Sequence, residues 1–367
     1  MKVEDIANYL ERIAPRSLQE SYDNAGLIVG NPNWEVTGVL TTLDATEPII
    51  NEAIAKGCNL IVAHHPILFF GLKQLNGNNY VERTIIKAIQ NNVAIYAIHT
   101  NLDNVANGVN AKICEKLQVK AAKILLPGKE KMLKLVTFTP PENLENILSE
   151  LSKAGAGEIG NYESCSFQVN GMGTFKGNEN SNPVKGKKNN LEKLEETRIE
   201  MVLPQNRKGN IINILKQAHP YEEVAYDIYP LDNVNSEVGS GMIGSLEESM
   251  DTASFFQYLK DKMNLVAFKH TPIVKKEIKT VAVCGGAGSF LLKRAIHAKA
   301  DIFITSDFKY HEFFDAEDKI IIADIGHFES ETFTRDLLAD FLSDLTTDTS
   351  LKICISEVNT NPVHYFI

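Results

Sequence analysis

The chain is poor in cysteine and tryptophan: five cysteines and one tryptophan in 367 residues. Cys58, Cys114, Cys165, Cys284 and Cys354 form no C-x-x-C pair, are odd in number and are irregularly spaced. That excludes a disulfide framework and fits a reducing cytosol, so a cytoplasmic protein is expected. No apolar stretch approaches the roughly 18 residues of a membrane span. An excess of basic residues is also missing. Lys and Arg number 37 against 47 Asp and Glu, a net charge of −10. This argues against broad nucleic-acid binding, which needs a basic face, while leaving room for a local basic pocket. A targeting signal is lacking too. Met1 to Ala14 carries Glu4, Asp5 and Glu11 among Val3, Ile6, Ala7, Leu10 and Ile13, the spacing of an amphipathic helix.

What remains is ordinary for a globular protein: 44% hydrophobic and 23% charged residues, with a length that suggests two or three domains. To about Leu126 strand and helix signals alternate. Strands are predicted at Gly38–Leu43, Asn59–Ala63 and Val93–Ile98, and helices at Glu47–Lys56, Val81–Asn91 and Val105–Leu117. That rhythm implies a mainly parallel sheet with right-handed crossovers. It resumes late in the chain, with strands at Thr280–Val283, Asp301–Thr305, Ile320–Ile325 and Leu351–Ile355 and helices at Leu291–His297 and Glu331–Leu345. Between them, from about Lys131 to Leu231, the order becomes βαβ-βαβ, the ferredoxin-like order. Its polar middle, Gly177 to Glu196, is expected to be a mobile loop. The fold class is therefore α/β, with two parallel-rich lobes (1–126 and 239–367) and an inserted α+β domain (127–238).

Three of the predicted strands end in the same kind of residue. Asn59–Ala63 runs into His64-His65-Pro66. Val93–Ile98 runs into His99-Thr100-Asn101-Leu102-Asp103. Ile320–Ile325 runs into Gly326-His327-Phe328-Glu329-Ser330-Glu331. In open α/β sheets ligands bind at the carboxyl ends of the strands. One site built from both ends of the chain and holding metal is the simplest chemical reading. Adjacent strand residues point to opposite faces, so His64 and His65 can share a site only where the strand has ended. Pro66 suits such a turn. His327 and Glu331, four apart, share a face if a helix begins near Gly326. Asp103, four after His99 in an expected loop, can converge with it. This donor set is too large for one catalytic zinc. It suits two metals about 3.5–4 Å apart sharing a bridging ligand. Mixed nitrogen and oxygen donors point to two divalent ions of Zn, Fe, Mn or Co. His99 can be a ligand, a supporting residue or a general base.

Other polar positions have plainer readings beside them. Gly285-Gly286-Ala287-Gly288-Ser289, after a strand, is a reasonable anion or phosphate site, although it matches neither a Walker motif nor a full dinucleotide fingerprint. Ser306-Asp307-Phe308-Lys309-Tyr310-His311 is another polar strand end, where Asp307, Lys309 and His311 are candidates for the pocket. Tyr22-Asp23-Asn24 reads either as an Asx turn or as pocket lining. His219 is expected to be structural or local to the insert, and Cys284, with no activating partner in view, to be structural.

At these residues the chain resembles the NIF-three-like dinuclear-metal family, whose members are often labelled GTP cyclohydrolase I type 2 homologues. The motifs are Tyr22-Asp23-Asn24-Ala25-Gly26-Leu27, Ala63-His64-His65-Pro66, His99 to Asp103, Ser306 to His311 and Gly326 to Glu331. The resemblance implies that His64, His65, Asp103, His327 and Glu331 are the metal ligands, with His99 beside them. It implies two similar α/β lobes and a ring-shaped homohexamer with its sites facing an internal cavity. The middle piece, notably His219-Pro220-Tyr221-Glu222-Glu223, resembles the PII/CutA-like insert of longer members. Two functions compete. One is a metal-dependent hydrolase acting on a nucleotide-like or phosphorylated small molecule, with His99 or His311 handling protons and Asp23, Asn24, Asp307 and Lys309 near the substrate. The other is a non-catalytic protein that stores or delivers metal, or regulates, with the insert docking partners.

Overall fold

Apolar residues at every third or fourth position coil the start of the chain into helix α1 (Val3–Ile13), which buries Val3, Ile6 and Leu10. In the computed structural model, which describes residues 1–345 and 351–366, the Asp5 carboxylate accepts the Lys2 N–H and closes its first turn. There follow β1 (Gly26–Val29), β2 (Val39–Thr42), α2 (Glu47–Ala55), β3 (Leu60–Ala63), α3 (Tyr80–Gln90) and β4 (Ala94–Ala97). Next come the one-turn helix α4 (Thr100–Asp103), α5 (Val109–Lys116) and β5 (Lys120–Pro127). Every residue of β2, β3 and β4 is buried, as expected of parallel strands covered on both faces. Two expectations change here. Asp103 ends a helical turn instead of lying in a loop. The helix expected from Val105 begins at Val109, because Val105 bridges to Val238 and Gly108 packs its backbone against the Leu102 carbonyl.

The chain divides into two compact units, Met1–Gly128 with Ser236–Ile367, and Lys129–Asn235. The second unit contains β6 (Lys131–Thr139), α6 (Leu144–Lys153), β7 (Phe167–Phe175), β8 (Glu192–Pro204), α7 (Lys208–Ala218) and β9 (Tyr226–Val234). Its sheet runs β7-β8-β6-β9 with all neighbours antiparallel. One face of that sheet packs Leu135, Ile199, Met201 and Leu203 against Ile147 and Leu151 of α6 and Ile211 and Leu215 of α7. The polar stretch expected to be a loop to Glu196 is shorter than that. Glu192 to Glu196 pair with Phe175 to Gly171 as a hairpin. Polarity misled because Glu192 to Glu196 of β8 run beyond β6 and pair only with the exposed edge strand β7, where Glu and Lys are as suitable as apolar residues.

The first unit resumes with β10 (Gly239–Asp251), α8 (Thr252–Met263), β11 (Lys269–His270), β12 (Glu277–Ala287) and α9 (Leu292–His297). It ends with β13 (Ile302–Ser306), β14 (Ile321–Asp324), α10 (His327–Glu331), α11 (Thr334–Leu345) and β15 (Ile353–Ile355). Asp251 caps α8 by accepting the Ser254 N–H. This unit holds two sheets, ordered β1-β4-β3-β2-β15 and β11-β14-β13-β12-β10-β5. Strands β15, β2, β3 and β4 are parallel, as are β12, β13 and β14. The sheets trade end strands. β5, near in sequence to the first sheet, pairs with β10 in the second, and β15 returns to β2. Alternation along each strand feeds different cores. Val39, Leu60 and Val62 join Val281, Val283, Ile302 and Ile304 in one cluster with α5 and α11. Leu40, Ile61 and Ile95 face α2 and α3, and Ala282, Phe303 and Ile322 face α9. Each such fully buried aliphatic side chain contributes about 1.5–3 kcal/mol. Among the described residues no helix is long and apolar enough to cross a membrane.

Candidate metal centre

Strand β3 ends at Ala63, and the backbone N–H groups of His64 and His65 still reach the Thr42 and Leu43 carbonyls. Their rings lie 5.0 Å apart between centroids, so both imidazoles reach one site. His99 follows β4 and stands at the start of α4, which carries Asp103 at its other end. Beyond β14, Gly326 adopts a left-handed φ of 93° that turns the chain into α10. One turn of that helix brings His327 and Glu331 together, as their spacing predicts.

Glu331 is 3% exposed and divides its two oxygens. Oε2 lies 3.0 Å from His65 Nε2 and 3.0 Å from His327 Nε2. Oε1 faces the other way, 3.9 Å from His64 Nε2, which is itself 3.6 Å from Asp103 Oδ1. The side chains thus form two groups of metal-ligating type, His65–His327–Glu331 and His64–Asp103–Glu331, and His64, His65 and His99 make a third. The carboxylate lies against β12. A Cβ on Gly286, whose φ is +62°, would run into Glu331 Oε1, and one on Gly285 would meet its Cγ. The glycine run expected to cradle an anion instead makes room for this carboxylate. The first two of its amides are already committed, Gly285 N–H to Asn110 Oδ1 and Gly286 N–H to Ser330 Oγ.

Each histidine has its far nitrogen fixed from behind. His64 Nδ1 donates to the Ile98 carbonyl at 2.9 Å, His65 Nδ1 bonds Asp44 at 2.7 Å, and His327 Nδ1 bonds Asp307 at 2.6 Å. His99 Nδ1 bonds Asp23 at 2.7 Å. This is how metal-ligating imidazoles are oriented. The backing shows what the centre requires. A carbonyl only accepts, so His64 carries its proton on Nδ1. Burial lowers the His64 pKa to about 4, so Nε2 is a bare lone pair at neutral pH. It points at carboxylate oxygens, and neither it nor Asp103 Oδ1 has a hydrogen-bond partner. Burial and the nearby Glu331 charge push the Asp103 carboxyl well up. The His64 lone pair and the Asp103 oxygen, 3.6 Å apart and without hydrogen-bond partners, are unfavourable together unless a proton or a metal cation lies between them. The donors therefore fit a divalent metal. On the other side, burial alone would lower His65 and His327. Their bonds to Asp44, Asp307 and Glu331 prevail and raise them to about 9 and about 11. Metal entering there must displace protons.

The centre opens into a cavity of about 810 Å³ lined by His65, His99, Asp103, His327 and Glu331 together with Tyr22, Phe69, Tyr80 and Phe290. Several candidates for substrate contact lie elsewhere. Asp23 is buried behind His99. Burial opposes its ionisation, but bonds from His99 and Thr100 outweigh this and hold it at about 2. Asn24 donates to the Leu68 carbonyl and fixes a loop. Asp307 backs His327. Lys309 and His311 are exposed and do not line the cavity. After β13 the left-handed Asp307 and the buried Phe308 turn the chain into a 3-10 segment, Tyr310–Ala316, where His311 meets Tyr310 and Phe314. Cys284 is buried, which pushes its thiol strongly up and removes it as a nucleophile. His219 bonds the Phe138 carbonyl inside the second unit. Sequence reasoning missed Asp44. The signal was available, since Asp44 follows β2 as the histidines follow β3. Thr360, from beyond β15, holds its other oxygen.

The Duf34/NIF3 (NGG1p interacting factor 3) profile matches residues 1–362. The chain belongs to the Duf34/NIF3 family. A relative named GTP cyclohydrolase 1 type 2 homolog, from Halalkalibacterium halodurans, is 38% identical over 362 residues, 97% of each chain. One of the same name from Bacillus subtilis is 34% identical over 363 residues, 98% of this chain and 97% of the other. The solved structure of a Bacillus cereus protein related to NIF3 superposes with a TM-score of 0.88 at 34% identity, covering 100% of this chain and 99% of that one. In this Duf34/NIF3 protein Asp44 positions His65 without touching the cavity's other donors. Asp44→Ala is expected to weaken metal affinity about 10- to 100-fold, measured by competition with a chromogenic chelator.

Proposed function

We propose that this Duf34/NIF3 protein holds two divalent metal ions and acts as a metal-dependent hydrolase on a nucleotide-like or phosphorylated small molecule. The observation that carries this is Glu331, which offers one oxygen to each of two donor groups. His64, Asp103 and Glu331 Oε1 would hold one ion, and His65, His327 and Glu331 Oε2 the other. The nitrogen and oxygen donors suit Zn, Fe, Mn or Co. Bound ions would supply Lewis acidity and activate water at neutral pH. The protein's own contribution is orientation and proton handling. Asp44 and Asp307 fix two ligating rings. His99, held by Asp23 at Nδ1, keeps Nε2 for proton transfer beside the cavity it lines.

The competing metal-store reading needs only the donors. The cavity and its aromatic lining favour a substrate. The name carried by the relatives suggests opening of the purine ring of GTP, and phosphoester hydrolysis is chemically as suitable. Asp103→Ala tests the proposal. It should lower turnover at least ~100-fold in a screen of nucleotides and phosphoesters while circular dichroism stays unchanged. Equal turnover in both proteins, or none in the metal-loaded wild type, would reject the hydrolase in favour of a metal handler. In the same reading the second unit is a ferredoxin-like insert of the PII/CutA-like kind, supported by its β-α-β-β-α-β order. A homohexamer in the cytoplasm completes it, to be checked by light scattering.

A further inference from the structure

The cavity beside the metal-ligating residues has two properties that narrow what it takes. Its mouth is aromatic. Tyr22, Phe69, Tyr80 and Phe290 come from four separate segments and all line it, with exposures of 62%, 44%, 60% and 60%. Large apolar rings converging on one opening and left uncovered mark a binding surface. Phe69 also sets its ring edge-to-face on His99, 5.8 Å between centroids. A flat ring entering here would find stacking partners while meeting the donors below.

The second property is charge. The lining contains Glu20, Asp44, Asp103 and Glu331 and neither a lysine nor an arginine. The histidines are backed by two more carboxylates, Asp23 and Asp307. Against two divalent ions, Asp23, Asp44, Asp103, Asp307 and Glu331 already leave no positive excess. A polyphosphate tail needs guanidinium or ammonium groups, or a row of free backbone amides. Of the glycine run that borders the cavity, the amides of Gly285 and Gly286 are occupied by Asn110 and Ser330.

We infer that the substrate of this site is an aromatic heterocycle of about nucleoside size carrying at most one phosphate, and that nucleoside triphosphates are disfavoured. This rests on the hydrolase reading for its chemistry and narrows the substrate class. Phe69 and Phe290 act as the stacking walls, and the acidic floor repels a polyanion.

The test is calorimetric binding to the full chain carrying its native metal. The probes are guanosine and adenosine, their monophosphates and their triphosphates, at low and high salt. At least one nucleoside should bind. Its triphosphate should bind ten-fold or more weakly at low salt, with the gap closing as salt screens the charge. The Phe69→Ala, Phe290→Ala double variant should lose ten-fold or more of nucleoside affinity at unchanged metal content. Binding that strengthens with each phosphate, binding of none of the probes, or no effect of the double variant would overturn the inference. Elemental analysis of the same samples keeps the two readings apart. A metal-free, inert protein with this order of affinities would reject the hydrolase and leave the selectivity standing.

Discussion

Glu331→Ala should reduce the metal content from about two ions per chain to less than one, measured by elemental analysis of protein purified without chelator. Among the described residues no other contributes to both the His65–His327 and the His64–Asp103 groups. Truncating it removes a donor from each and leaves two groups of two. The metal-free protein should also lose stability, on the order of 3 kcal/mol, because the raised His65 and His327 lose the carboxylate that holds their protons. Glu331→Gln separates these effects. It keeps the shape and part of the hydrogen bonding, so it should lose metal as fully with less loss of stability. If Glu331→Ala retained both ions, the carboxylate would not bridge, and the two groups would have to be completed by His99 and Asp44.

Gly286→Ala should be damaging although it adds one methyl group. The residue has a left-handed φ of +62°, which costs an alanine about 1–2 kcal/mol. Its Cβ would also collide with Glu331 Oε1. Glu331 is buried and held by two histidines, so it cannot swing aside as an exposed side chain would. The expected result is a loss of about 2–3 kcal/mol in urea denaturation of the metal-free protein, together with metal affinity lowered more than ten-fold. Gly57 provides the control. Its φ is +69°, and a Cβ there meets nothing within 4 Å. Gly57→Ala should cost only the backbone part, with metal binding unchanged. Equal behaviour of the two variants would show that the glycine run has no part in seating the carboxylate.

These two predictions show where sequence and tertiary structure divide the information. In the sequence Gly286 belongs to a glycine-rich run, Gly285 to Ser289, that reads as a reasonable place for an anion. Whether these amides are free depends on distant residues: Asn110, 175 positions away, takes the Gly285 N–H, and Ser330, 44 positions away, takes that of Gly286. Asp44 went unnoticed because a lone aspartate after a strand resembles any turn residue, and only the ring of His65 gives it meaning. Asp307, Lys309 and His311 share one polar motif, yet a left-handed turn separates the first from the other two.

The sequence by itself determined the strands that end in imidazoles, the helical turn that pairs His327 with Glu331, and the candidate donors. Each of these follows from local periodicity: two for strands, three to four for helices, with a chemically distinctive residue at the break. Only the tertiary structure decided the exchange of β5 and β15 between sheets, which carboxylate spans both donor groups, and which polar residues stand behind the ligands. Those outcomes depend on pairings far apart in the chain, 266 positions between His65 and Glu331 and 316 between Asp44 and Thr360, and no local pattern encodes them. Packing two sheets on one core brings the strand ends together, and burial there turns ordinary carboxylates and imidazoles into groups that could hold a metal ion.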